Sequence, residues 1–213
     1  MGTDQHGGDL NAPIAFVGNA APVTDHSSAI DGHAFVWRFN NCPGMETGLR
    51  GARTSLLWLV NSGGSMRERL EMEGFADHPA MRGCGVLGFP VHPTMLARYH
   101  PEPSPEERAA GDRNDWTDEA KRRFGATHHF LVPPPEHYLA ACDAIGLGEE
   151  RRREVFPSTG FLAAHWHLTG NRKSSATLFG FTWEGWDAHA WDGERRWFER
   201  MERKGRVRIV REP

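Results

Sequence analysis

No apolar run in this 213-residue sequence approaches the roughly 20 residues a helix needs to cross a bilayer, so no membrane span is expected. The opening residues, MGTDQHGGDLNAP, lack the basic start and apolar centre of a secretory signal. They also fit the myristoylation pattern poorly, because position 6 is His6 rather than Ser or Thr. Residues 1–12 read as a flexible N-terminus, and the lack of a leader points to a cytoplasmic location. Cysteine is scarce: Cys42, Cys84 and Cys142 are odd in number and far apart. That excludes a disulfide framework and suits a reducing compartment. Neither sign of charge dominates, with 25 Lys+Arg against 28 Asp+Glu. The balance gives no global case for nucleic acid or an anionic membrane as partner.

Eight Trp and twelve His are many for this length, and they divide between core packing and the handling of sugars or phosphates. Short apolar runs alternate with helical stretches. Residues 14–17, 34–39, 55–60, 85–90, 129–132, 176–181 and 207–210 read as strands, bounded by Gly, Pro or Asn. Helices are expected at 66–73, 116–124, 136–145, 149–155, from 158 to about 168, and 190–203. This alternation predicts an α/β fold: one domain over 13–213, built on a mainly parallel sheet covered on both faces. The charged, Pro-punctuated stretch 101–123 reads as a surface insertion.

Two strand ends present asparagines: Ile14–Val17 runs into Gly18-Asn19, and Ala34–Phe39 into Asn40-Asn41. Ligands of open α/β sheets bind outside such carboxyl ends, and Gly18 lets the backbone turn tightly beside a ligand. Pro157-Ser158-Thr159-Gly160 opens an Ala-rich helix. Its hydroxyls suit helix capping, and its free N–H groups suit an anion. His189, five residues before Glu194, lies in a Trp-rich loop near the same sheet edge. An imidazole there serves packing, or takes a proton from a hydroxyl near neutral pH.

In order, the pieces are VGN, IDGHAFVWRFNNCPG with TGLRGARTSLLWLVN, FPSTGFLAAHWHL with a strand ending FGF, and H-x-x-x-x-E. Together they resemble the large, small and very small motifs of the family 29 sialyltransferases, over residues 14–61 and 156–194. The resemblance implies a Rossmann-like, GT-A-type sheet. It also implies inverting transfer of sialic acid, or a Kdo-like nonulosonic acid, from a CMP-sugar to a glycan or glycolipid hydroxyl. No metal or other cofactor is implied, and the sequence contains no D-x-D pair. Matched residue by residue, Gly18, Asn19, Asn40, Ser158, Thr159 and Gly160 fall to donor binding. His189 falls to the catalytic base and Glu194 to its structural support, while Arg38 holds the fold.

The sequence departs from the family in several places. The family's bridging cysteines are replaced by Ile14 and by the residues near Asn171. The anchor and stem of the Golgi enzymes have no counterpart, which points to a compact bacterial-type member. The aromatic third motif is blurred into Thr182–Trp186, and residues 62–135 match nothing. Two other readings stay open, a non-catalytic nucleotide-sugar-binding protein and a CMP-sugar hydrolase. His165-x-His167 on a helix diverges too far to hold a metal. The basic, aromatic tail 195–211 is expected to pack on the sheet, with peripheral membrane association as its other use.

Overall fold

The computed structural model describes residues 13–212; the N-terminal stretch 1–12, read above as flexible, lies outside them. Seven strands form one sheet: β1 Ile14–Val17, β2 Phe35–Phe39, β3 Leu56–Trp58, β4 Val86–Gly88, β5 His129–Leu131, β6 Ala176–Phe179 and β7 Val207–Ile209. Their order is β5-β4-β3-β2-β1-β6-β7, and every pairing is parallel. The α-helices are α1 Ser27–Asp31, α2 Gly63–Glu71, α3 Pro79–Arg82, α4 Pro93–Tyr99, α5 Pro105–Ala109, α6 Thr117–Phe124, α7 Pro135–Ala144, α8 Thr159–Gly170 and α9 Trp191–Arg203. This is the parallel α/β architecture that the alternation predicts, and it is Rossmann-like, as the resemblance implies.

Alternate residues of each strand feed opposite faces. Ile14, Phe16, Trp58 and Leu178 pack with residues of α4, α7, α8 and α9. Ala15, Val17 and Val36 face Ile30 of α1, while Leu57 and Leu87 join α2, α3 and α6. Helix α8 is apolar on nearly all sides, and Phe161, Leu162, Ala163, Ala164 and Leu168 are all buried. Such a helix belongs inside a core. Helix α9 is amphipathic, burying Gly193, Glu194, Trp197 and Phe198. Trp197 and Phe198, with Val207 and Ile209 of β7, are thus spent on packing, and Arg203, Lys204 and Arg208 stay exposed.

Two expectations change. Residues 149–155 form only a 3-10 turn, Glu149–Arg151, instead of a helix. Proline 157 holds the preceding backbone extended, and Phe156 bridges in parallel to His189. The buried Arg152 side chain fixes the turn through Leu147, Glu149 and Asp143. The 101–123 excursion divides in two. Helix α5 is exposed throughout, whereas Trp116, Thr117 and Ala120 are buried.

Arg38, at the end of β2, is fully buried. Its Nε donates to Arg53 O at 2.9 Å, and Nη2 donates to Arg50 O at 2.7 Å and Gly51 O at 3.2 Å. The guanidinium therefore ties down the 50–53 loop, the fold-holding role expected of it. Arg38→Met should strand those carbonyls and cost about 2–4 kcal/mol. Urea unfolding checks this: the midpoint should drop with an unchanged slope, and an unmoved midpoint would show that the loop is held by other contacts.

Candidate active site

The chain leaves β1 towards β2 on one side and returns to β6 on the other. The crevice between the carboxyl ends of β1 and β6 is the topological switch point, where open α/β sheets bind ligands. The turns there are crowded. Gly18 N–H donates to Phe179 O at 2.8 Å, and Ala20 N–H to Gly180 O at 3.2 Å. A Cβ on Gly18 would stand 2.4 Å from Gly180 O, so only glycine fits. Above these turns opens a cleft of about 380 Å³. All eight residues singled out from the sequence line it: Gly18, Asn19, Asn40, Ser158, Thr159, Gly160, His189 and Glu194.

Their states differ. Asn19 is exposed and makes no side-chain hydrogen bond within the described residues. Asn40 adopts φ 52°, a left-handed conformation that asparagine tolerates. Its Oδ1 accepts from Val60 N–H at 2.9 Å, so the oxygen is occupied and the NH2 group is left over. Asn41 is turned elsewhere, accepting from Arg69.

Ser158 caps α8, its Oγ accepting from Phe161 N–H at 3.1 Å. It also donates twice to the Glu194 carboxylate, from N–H to Oε1 and from Oγ–H to Oε2, each at 2.7 Å. Capping and the Glu194 lock thus occupy Ser158. The unpaired backbone N–H groups at this helix start are those of Thr159 and Gly160. Glu194 is 1% exposed. Burial pushes its carboxyl up to about 7, against the pull of the two Ser158 donors.

His189 donates from Nδ1–H to Phe156 O at 3.0 Å. A carbonyl only accepts, so this bond fixes the tautomer and leaves the Nε2 lone pair open. The ring stands edge-on to Trp186 and Trp191, with centroids at 5.0 and 4.8 Å. Burial lowers its pKa below the ordinary imidazole value, so it is neutral at pH 7. A second cleft of about 480 Å³ adjoins the first and shares His189 and Trp191 with it. Arg151, Asp187, Asp192 and Arg196 line its far side.

Trp183, in the Thr182–Trp186 stretch noted from the sequence, lines the first cleft at φ 55°, and among the described residues its buried Nε1–H has no partner. Sequence reasoning missed a further neighbour. His100, from the unmatched 62–135 region, packs its ring 4.6 Å from Phe156, which in turn stacks on Trp186. Burial, with His189 nearby, pushes His100 down to about 4. Only the Trp-rich composition hinted at such a cluster. Cys42 is buried and its thiol is pushed up to about 12, so it is no nucleophile. His33 bonds Ala29 O and Thr177 Oγ1, a structural role. His165 and His167 point to different neighbours, and among the described residues no three His, Cys, Asp or Glu converge on a metal-sized site.

No protein-family model matches the chain, and no curated protein matches it by sequence. Solved structures do match its fold, and they define the class as Rossmann-like. A mammalian sialyltransferase superposes with TM-score 0.58 at 15% identity, over 95% of this chain and 70% of that one. A mammalian sialyltransferase in complex with Gal-beta-1-3GalNAc-ortho-nitrophenol gives 0.54 at 18%, with the same coverage. At these identities the likeness is one of fold.

The raised Glu194 pKa means that the folded state binds this proton more tightly than the unfolded state. Its contribution is complete below about pH 4.5 and is lost as the pH rises to about 7. Glu194→Gln should therefore flatten the stability profile. Between about pH 5 and about pH 7.5 wild type should lose on the order of 2–3 kcal/mol that the variant does not. Urea midpoints across that window decide it, and a variant with the wild-type slope would assign the titration to another group.

Proposed function

We propose that this protein is an inverting glycosyltransferase that moves a sialic acid or Kdo-like nonulosonic acid from a CMP-sugar to a glycan or glycolipid hydroxyl. The observation that carries this reading is the convergence on one switch-point cleft. Amide donors and a helix start stand there beside an imidazole whose tautomer is fixed. The Thr159 and Gly160 N–H groups and the positive end of α8 suit the donor phosphate. The side-chain amides of Asn19 and Asn40 suit the nucleotide and its phosphate.

As the bond from the anomeric carbon to the phosphate oxygen breaks, the acceptor oxygen bonds to that carbon from the opposite face. The acceptor's proton passes to His189 Nε2, and CMP leaves carrying the electron pair. The Phe156 carbonyl holds the opposite side of the ring and steadies the imidazolium that forms. Glu194 keeps the α8 start and the His189 loop in register. The phosphodiester is already an anionic leaving group, so amide and helix donors suffice without a metal ion. The acceptor reaches His189 through the second cleft, where Trp191 offers a face for a sugar ring and Asp187 and Asp192 accept hydroxyl protons. The tail that packs as α9 and β7 leaves basic residues for peripheral attachment to an acidic glycolipid surface.

Calorimetric titration with CMP, followed by CMP release from CMP-Neu5Ac and CMP-Kdo, tests the proposal. Wild type should bind CMP and release it from one donor when an acceptor is present, unaffected by EDTA. His189→Ala should lower kcat roughly 10²–10⁴-fold with CMP affinity unchanged. Because burial depresses the His189 pKa, the rate should be flat at neutral pH and fall only below about pH 6.5. No CMP binding sinks the proposal. Binding without turnover leaves a nucleotide-sugar-binding protein, and release that needs no acceptor leaves a hydrolase.

A further inference from the structure

Arg50 lies in the loop between β2 and β3, and its side chain is fully buried. It runs past Gly44, where a Cβ would meet its Cγ at 2.7 Å, and ends beneath Gly180. A Cβ on Gly180 would stand 3.3 Å from Nη2. Gly180 is part of the cleft lining at the switch point, so one glycine separates the guanidinium from the cleft. Among the described residues, Nε and Nη1 have no hydrogen-bond partner. The counter-charge is the Glu212 carboxylate, 2.7 Å from Nη2 and supplied by the segment beyond β7. His26 Nε2 stands 3.6 Å from the same carboxylate. A second fully buried guanidinium, Arg38, is bonded only to carbonyls, and its nearest acid, Asp31, already accepts from Ala52 and Arg53 N–H.

Packing does not require this arrangement. A buried cation with unpaired nitrogens is costly, and an apolar side chain of similar length fills such a space as well. It does place positive charge under the turns where the donor phosphate is proposed to sit. We infer that Arg50 tunes anion affinity in the cleft by acting through Gly180 without touching the ligand, and that Glu212 sets its strength by partly neutralising it. This inference rests on the cleft binding an anion. At a separation on the order of 10 Å and an effective dielectric near 20, one unit charge changes the affinity for an anion by roughly ten- to thirtyfold. Salt screens such a buried charge weakly.

The two partners should act in opposite directions, which a merely structural pair would not do. Titrating CMP into Arg50→Met should show affinity lowered about fivefold or more, because Glu212 is then left uncompensated. Glu212→Gln should raise CMP affinity about threefold or more. Uncharged cytidine should bind all three proteins alike. Changes of the same sign, or equal changes for cytidine, overturn the inference. If Arg50→Met does not fold, Glu212→Gln decides alone, since unchanged or weakened CMP binding overturns the assignment. Inorganic pyrophosphate separates this inference from the nucleotide reading. Wild type that takes pyrophosphate but not CMP loses the CMP-sugar function, and Arg50 is then judged by the same opposite-sign test with pyrophosphate. Wild type that binds neither anion overturns both.

Discussion

The site depends on one buried carboxylate. Glu194 belongs to α9, which enters the fold last but one, yet both its oxygens accept from Ser158 at the start of α8. That bond pair joins two helix N-termini that the chain separates by β6 and the whole Thr182–Ala190 loop. The loop carries His189, whose backbone bridges to Phe156 two residues before Ser158. A charge in so dry a place is costly unless both oxygens are satisfied. Here they are satisfied by a backbone N–H and a hydroxyl that also caps a helix. Burial still holds the carboxyl up at about 7.

The same lock divides the work at the α8 terminus. A helix start offers several unpaired N–H groups and attracts any anion within reach. Glu194 occupies the Ser158 donor from the protein side, and Ser158 Oγ takes the Phe161 donor. The Thr159 and Gly160 donors remain towards the cleft. The protein's own groups, Glu194 and the Ser158 hydroxyl, thus cover the Ser158 and Phe161 donors and leave those of Thr159 and Gly160 at the cleft. Beneath Gly180, outside the cleft, Arg50 and Glu212 repeat the theme with signs reversed. There a buried cation is partly neutralised by an acid from the far end of the chain.

The strands were legible in the sequence because each is a short apolar run stopped by Gly, Asn or Pro, and turn chemistry acts locally. The eight residues that line the cleft could be singled out for the same reason: they sit at or near strand ends and helix starts, where local turn and cap chemistry is visible. What the sequence hid is non-local. Nothing near Arg50 announces Glu212, and nothing near His100 announces Phe156. Asn40 read as a ligand donor, yet half of its amide is committed to Val60. Residues 149–155 have helical composition, but the isolated bridge from Phe156 to His189 overrides that propensity. In each case tertiary contact decided what local preference left open.

The amino ends of β1 and β6, in the middle of the sheet, follow the same rule. With no thiol at Ile14, apolar packing is one force that holds β1 against α8. Arg206 supplies another. Its Nε donates to Ser174 O at 2.5 Å, and Nη2 donates to Leu168 O at 2.8 Å and Asn171 O at 2.9 Å. One guanidinium thereby satisfies the last carbonyls of α8 and joins them to the loop that feeds β6 and to the entry of β7. A cation at a helix C-terminus also complements the helix dipole. Ile14 N–H donates to Ser175 O, so β1 is tied to that same loop through its backbone. The connection a disulfide makes covalently is made here by charge-assisted hydrogen bonds, which hold whatever the redox state of the surroundings.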